Sequence, residues 1–378
     1  MKKPIAIVLV LLLLAGGIAA VAAGGSASDP LVSLGYLEKT YLPDLEEQID
    51  GKVGEMGEEA YAGAAERLEL ESQLLQAQAG GAGYADTFQE QRLKKGDVLT
   101  LSEGSSVLLL AGGASFSFER GAVVDATTGA EVASGAALEA NHRYLSAEDT
   151  ACGVVVTSDT AVLAPQGYYA IAPSDEVDYN ELADALREMN VFRGSSTGYG
   201  SSYELELPAT RIQGLIMFLR LMGEEEAALA YTGEVPFTDV PDWCRSYVAY
   251  AADKGYVGGY GDGRFGTDNS LRAREYLTML LRALGYTDGG AAPDFTFDTV
   301  ISRARELGVI TAGEESLLNE LNSGTFLRAH LAYFSYYALT EPVKGSSETL
   351  LTRLGRTGAV DAQEITGIMA GVSTERIE

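Results

Sequence analysis

The sequence predicts an α+β protein whose classes occupy separate stretches: an N-terminal helical segment, a small all-β sandwich or barrel, and an all-α C-terminal part. Three observations carry this. Apolar residues recur at helical spacing between Ser33 and Gln78. From Gly96 to Ala172 that spacing gives way to short Val-, Leu- and Phe-rich runs separated by Gly and Ser. Beyond a linker at Pro173 to Asp178 helical spacing returns, and pieces of one layout recur. The segments divide as 1–27, 28–95, 96–173, 174–345 and 346–378.

Lys2 and Lys3 precede the apolar run IAIVLVLLLLAGGIAAVAA, which reads as a secretory signal with cleavage motifs at Ala20-Val21-Ala22 and Gly25-Ser26-Ala27. The alternative is an uncleaved anchor, since Pro4 to Ala23 is about long enough to span a bilayer. Either way the remainder is exported. In the helical segment, Leu34, Leu37, Tyr41 and Leu45 share one face, and Pro43 argues for a break. Gly51, Gly54 and Gly57 speak against one continuous helix. The later apolar stripe of Tyr61, Ala65, Leu68, Leu74 and Leu75 is expected to pack on its own domain rather than form a stalk or bind a partner.

The predicted strands are Val98 to Leu101, Ser106 to Leu110, Ser115 to Phe118, Val123-Val124, His142 to Leu145, Gly153 to Thr157 and Ala161 to Leu163. Regular turns between them suit a sandwich or barrel, closed by Pro165-Gln166-Gly167. His142 is expected to be a structural side chain near a turn; a ligand-reading group of His142, Arg143 and Tyr144 is the alternative.

Composition excludes several functions. The 378 residues carry a formal charge of -27, from 27 basic and 54 acidic side chains. Nucleic acid and bare anionic lipid need a basic face and are poor partners for such a surface. Cys152 and Cys244 fall in different predicted domains and are expected to be buried, unlinked thiols. With His142 and His330 alone, and neither CxxC nor HExxH, a histidine-rich metal site is excluded. No nucleophile–base pair is visible, so the chain is expected to be non-catalytic and without a cofactor.

The helical part reads as units at about 179–223, 237–286 and 295–339. Tyr179 to Met189 is one helix. Thr210 to Met222 is a stronger one, with Ile212, Leu215, Ile216 and Leu219 on one face and Gly223 as its stop. Helices Thr299 to Leu307 and Arg328 to Leu339 belong to the third unit, and polar filler runs up to Gly324. A last helix lies near Ala362 to Met369. Arg211 opens a helix ending in FLRLMG, Arg274-Glu275 one ending in LLRALGY, and Arg328 one ending in YYAL. Before each comes a glycine-bearing loop: Arg193 to Gly200, Gly255 to Gly266, and Gly308 to Gly313.

The middle unit opens with Phe237, Asp239, Val240, Pro241 and Trp243, matching Phe-x-Asp-Val-Pro followed by Trp. A glycine-rich turn from Gly255 through Phe265 ends as Gly-Tyr-x-Asp-Gly-x-Phe. Together these resemble an S-layer homology module. The first unit keeps mainly its second half, including Thr210-Arg211, and the third keeps Phe295 and the helix near Arg328. The resemblance covers about Tyr179 to Leu339. It implies a pseudo-threefold bundle of three modules on the cell surface. That bundle would hold an exported protein on the wall by binding an anionic secondary polymer, often pyruvylated, attached to peptidoglycan. The family's Thr-Arg-Ala-Glu motif maps its arginine onto Arg211 and Arg328, whereas aligning Glu275 with the motif puts Ala273 in the middle copy.

The implied binding residues are Arg211, Arg328, Trp243, Tyr260, Asp262 and Gly263. An arginine offers a rigid donor fork to a compact anion. A helix start is expected to add unpaired N–H groups, and glycines let the loop backbone approach a sugar. Tyr260 either stacks on a sugar or packs inside; Trp243 is expected in the core, with stacking as the alternative. Residues 259–266 lack the Lys-Ser/Thr of a phosphate loop, and Asp262, Asp268 and Asn269 do not follow calcium-loop spacing. The competing reading is a structural, assembly or sensor protein of the envelope that has lost polymer binding and contacts a protein partner through the β-region.

Overall fold

The computed structural model describes residues 37–79, 83–147, 150, 152–194, 199 and 201–378; the signal or anchor reading lies outside them. Two units are distinguished, Met1–Ser72 and Gln73–Glu378. A π-helical turn, Leu37–Tyr41, leads into one long helix, α1 (Leu42–Ala79). Pro43 makes no break because it sits in the first turn, where a missing N–H costs nothing. The helix also runs unbroken through Gly51, Gly54 and Gly57. Of the stripe expected to pack on its own domain, Tyr61, Ala65 and Leu68 are exposed, as are Ile49, Val53 and Met56, while the side chains of Leu74 and Leu75 lie outside the described ones. Among the described residues no helix is long and apolar enough to cross a membrane.

The β-region is one curled antiparallel sheet. Its strands are β1 (Tyr84–Ala85), β2 (Gln91–Lys94), β3 (Val98–Leu101), β4 (Ser106–Ala111), β5 (Ala114–Ser117), β6 (Val123–Asp125), β7 (Ala130–Val132), β8 (Arg143–Ser146), β9 (Cys152–Val156) and β10 (Thr160–Ala172). Their order is β5-β9-β3-β10-β4-β8-β6-β7, with β1 and β2 also on β10. Thus the sheet begins before Gly96, and Pro165 to Gly167 does not end it. Instead β10 bends there. Up to Gln166 it pairs with β4, and from Tyr169 it pairs with β3. Gly167 sits at the change with φ +98°, where a Cβ would lie 2.6 Å from Ser105 Oγ. Leu99, Leu101, Leu109, Phe116, Val154 and Leu163 fill the curl.

The helices that follow are α2 (Tyr179–Glu188), α3 (Arg211–Met222), α4 (Glu225–Leu229), α5 (Arg245–Asp253), α6 (Ala273–Ala283), α7 (Val300–Glu306), α8 (Ala312–Leu321), α9 (Arg328–Thr340), α10 (Leu350–Thr357) and α11 (Ile365–Gly371). A 3-10 turn, Asp242–Cys244, leads into α5. Asp178 caps α2, its carboxylate accepting from the Asn180 and Glu181 amides at 3.0 and 3.2 Å. The stretch read as polar filler is helix α8. Its start is fixed by Thr311, whose Oγ1 accepts from Glu314 N while Glu314 accepts from Thr311 N. Tyr203, Phe218, Phe265, Tyr276 and Tyr333 anchor the helical core.

Candidate functional site

Helices α3, α6 and α9 start in one register. At each, the third residue accepts a hydrogen bond from the backbone N–H just before the helix: Gln213 from Thr210 at 2.9 Å, Glu275 from Arg272 at 3.0 Å, His330 from Leu327 at 3.0 Å. The first positions are therefore Arg211, Ala273 and Arg328. The segments entering these helices also meet, Pro208 bridging Leu327 and Thr210 bridging Ser270.

That meeting corrects one expectation. The first amides of α3 do not face a ligand: Arg211 N donates to Asn269 O at 2.9 Å and Ile212 N to Thr267 O at 3.2 Å. In α9, Arg328 N and Ala329 N donate to Leu207 O and Leu205 O at 2.9 and 3.0 Å. Neighbouring carbonyls satisfy these helix-end donors.

Arg211 reaches into the loop after α5. Nη2 donates to Gly258 O at 2.9 Å and Nη1 to Glu275 Oε1 at 3.0 Å. The guanidinium lies 5.0 Å from the Tyr260 ring centre and 5.1 Å from that of Phe265. Its side chain is 12% exposed, and Nε is buried without a partner. Tyr260 itself is 50% exposed, so this aromatic ring faces solvent beside a fixed cation.

Arg328 is held more deeply, at 5% exposed. Nε donates to Tyr203 O at 2.7 Å and the guanidinium lies 5.3 Å from the Phe192 ring centre. Burial pushes its pKa down despite the nearby carboxylates of Glu204 and Glu206. Ala273 is fully buried, and the flanking arginines do not replace it. Arg272 is exposed, and Arg274 approaches Asp298 at 3.9 Å.

Asp239 shapes the glycine loop, accepting from the Phe265 and Gly266 amides at 2.7 Å each. Burial opposes its charge, but these two amides hold its carboxyl below the ordinary range. Asp262 is tied back to Arg264, accepting from Nε at 2.7 Å and from the backbone N–H at 3.1 Å. Gly263 adopts φ +81° and its carbonyl accepts from Thr238 N at 3.0 Å. Trp243 overturns the core expectation: it is 61% exposed at the 3-10 turn, where the adjoining Cys244 takes the buried position.

Other groups lie apart. In the β-region, His142 Nδ1 lies 2.8 Å from Asp125 Oδ2, a pairing 17 positions apart that sequence spacing does not reveal. Burial works against the Asp125 charge, yet His142 and Thr128 bring its pKa to about 2. The His142 Nε2 lies 3.4 Å from Glu139, so both ring nitrogens serve the turn. Cys152 and Cys244 are free and buried, and burial raises their thiols to about 12 and about 11. A cavity of about 630 Å³ between α2 and α11, lined by Glu181, Glu188, Glu364 and Ile368 among others, touches neither Arg211 nor Arg328.

Residues 236–271 match the S-layer homology domain. The matched stretch runs from the opening Phe237 through the 3-10 turn, α5 and the Tyr260 loop. The chain is similar to a "Cell surface protein" of Thermoanaerobacter kivui, 27% identical over 184 residues, covering 47% of this chain and 22% of the relative. It is 29% identical over 154 residues to a "Middle cell wall protein" of Brevibacillus brevis, covering 39% and 14%. A "Cellulosome-anchoring protein" of Acetivibrio thermocellus is 29% identical over 90 residues, covering 23% and 20%. The chain spans less than a quarter of the length of these relatives. Residues 236–271 therefore carry an S-layer homology domain, and the relatives found are proteins of the cell wall and cell surface.

Proposed function

We propose that the pairs α2/α3, α5/α6 and α7/α9 are three S-layer homology repeats, and that they bind an anionic secondary cell-wall polymer linked to peptidoglycan without catalysing a reaction. The observation that carries this reading is Arg211, which reaches from the start of α3 into the Gly258–Phe265 loop of the matched domain. Arg211 makes two of the five hydrogen bonds a guanidinium can donate. A second N–H on each Nη is left for a carboxylate or phosphate, and Tyr260 supplies an adjoining platform for a sugar. Gly263, Asp262 and Trp243 lie on the same domain and would border the polymer. The anchoring relative supports the role in kind.

The test is retention on purified wall sacculi, with and without their secondary polymer. Retention that disappears when the polymer is stripped supports the proposal. A second reading, a structural envelope protein, is favoured by the Arg211–Glu275 ion pair and by the burial of Arg328. No retention on intact sacculi selects it.

A further inference from the structure

Three helix exits repeat one backbone pattern. After α2, α5 and α7 the chain turns through Asn190, Gly255 and Gly308, with φ +58°, +71° and +74°. The next amide returns to the helix each time: Val191 N to Leu186 O at 2.9 Å, Tyr256 N to Ala251 O at 2.8 Å, and Val309 N to Ala304 O at 2.9 Å. The carbonyl of that same residue then accepts from an arginine. Val191 O takes Arg220 Nη1 at 3.2 Å, and Tyr256 O takes Arg282 Nη1 at 2.7 Å. Arg220 and Arg282 are both the tenth residue of their helices, α3 and α6.

The tenth residue of α9 is Tyr337. At this third exit the Val309 carbonyl accepts instead from Arg376 Nη2, at 2.6 Å, and the Arg376 guanidinium lies 5.2 Å from the Tyr337 ring centre. The carboxylate partners repeat as well. Arg220 pairs with Glu225 and Arg282 with Asp288, while Arg376 pairs with Glu314 and Glu341. Glu314 is 0% exposed, so its charge depends on this fork, on the Tyr333 hydroxyl at 2.9 Å and on the Thr311 amide.

The residues around Arg376 are bonded on both sides. The amides of Ser373 and Thr374 donate to the two oxygens of Glu181 in α2 at 2.8 Å each, and both hydroxyls donate there too. Ile377 N donates to the Tyr333 hydroxyl at 2.9 Å, and Ile377 O accepts from Thr311 Oγ1. A Cβ on Gly313 would lie 2.7 Å from Ile377 Cγ2. We propose that Ser373–Glu378 is a strap: it supplies from outside the third helix pair the arginine that α9 lacks, and it clamps α2 to α8 and α9. Arg376 is its positioning residue. The inference does not depend on polymer binding.

The test is a melt of the full chain with three changes. Arg376→Ala leaves Glu314 buried without its cation and lowers the melting temperature by roughly 10 °C. Arg376→Lys keeps a charge but cannot reach Glu314, Glu341 and Val309 O together, and falls between. Adding Tyr337→Arg to Arg376→Ala restores the arginine at the position used by α3 and α6, and recovers at least half the loss; Tyr337→Ala does not. Hydrogen exchange reads the clamp separately: in Arg376→Ala the Ser373, Thr374 and Ile377 amides lose protection. Should Arg376→Ala yield no folded protein, recovery of folded material on adding Tyr337→Arg supports the strap equally. The proposal is overturned if Arg376→Ala melts with the parent and keeps those amides protected, or if Tyr337→Arg rescues no better than Tyr337→Ala.

Discussion

His330 Nε2 lies 3.0 Å from Asp159 Oδ2, which bonds the first turn of α9 to the turn between β9 and β10. Because Nδ1 of the same ring accepts from Leu327 N, the proton sits on Nε2 and is donated to the carboxylate. A second tie joins the same two regions, Arg92 of β2 gripping Asp184 of α2 through Nη1 and Nη2 at 3.0 and 2.7 Å. The sheet and the helices are thus tied by one ion pair and one hydrogen bond to a carboxylate.

The first prediction follows from the sign of the Asp159 shift. The bond from His330 holds the carboxyl below its ordinary value, against the opposing effect of burial. A carboxylate depressed on folding stabilises fully above its unfolded pKa, about 3.9, and the benefit fades as pH falls through the folded value. Asp159→Asn should therefore melt below the parent by a constant margin between about pH 5 and 7, and the margin should shrink below about pH 4. Melts across that range check it, and a margin that widens in acid contradicts it.

A second prediction separates backbone strain from collision. Gly104 and Gly112 both adopt φ +79°. A Cβ on Gly104 meets nothing within 4 Å, whereas one on Gly112 collides with the Thr160 carbonyl and lies 2.7 Å from Ala161 Cα. Gly104→Ala should cost about 1–2 kcal/mol, from the left-handed backbone alone. Gly112→Ala adds overpacking against a central strand, and should cost at least about 3 kcal/mol in urea unfolding. Equal costs would refute the distinction.

Much of this architecture was legible because period and punctuation agree. Thr210 and Gly223 bracket α3 as their residue types dictate, with the cap bond and a φ of +72° in place. Seven strands of the sheet were legible but β1, β2 and β7 were not, and Pro165-Gln166-Gly167 resembles a terminator where it only redirects β10. Helix α8 was missed because its large apolar residues are only Leu317, Leu318 and Leu321, although Thr311 and Glu314 form a capping box that spacing alone offers. The ring environment of Arg211 was legible only in part. Its motif located it at a helix start, but Gly258, Tyr260 and Glu275 lie 47 to 64 positions away and are brought there by tertiary packing. The exposure of Trp243 was illegible for a similar reason, since the type of residue favours burial and only the fold shows that Cys244, beside it, takes the inward position.

The cysteines give a third prediction. Burial raises Cys152 to about 12 and Cys244 to about 11, so almost no thiolate forms near neutrality. Neither should be alkylated in the native protein at pH 8, and both should react fully in denaturant. Mass spectrometry after iodoacetamide reads both states, and native labelling of either residue would reject the packing described for it.

The last prediction concerns the two first-turn arginines, which are not equivalent. Arg211 is bonded to Glu275 and Gly258 and adjoins the exposed Tyr260 ring, so its loss should act mainly on binding. A charge-assisted hydrogen bond is worth about 1.5–3 kcal/mol, and Arg211→Ala should weaken sacculus binding roughly 10- to 150-fold. Arg211→Lys should recover little, because a point charge cannot hold the Gly258 carbonyl, Glu275 and an anion in one plane. Arg328 is almost wholly buried, with its Nε on the Tyr203 carbonyl, and Arg328→Ala should lower the melting temperature as well as any binding. The formal charge of -27 opposes long-range attraction to an anionic polymer, but salt screens that repulsion over about 8 Å at physiological strength. Contact geometry then decides, and binding should survive or strengthen as salt rises from about 20 to about 150 mM. Binding to sacculi by both alanine variants and the parent, each with its melt, separates the cases. If Arg211→Ala folds and binds like the parent, the arginine does not contact the polymer.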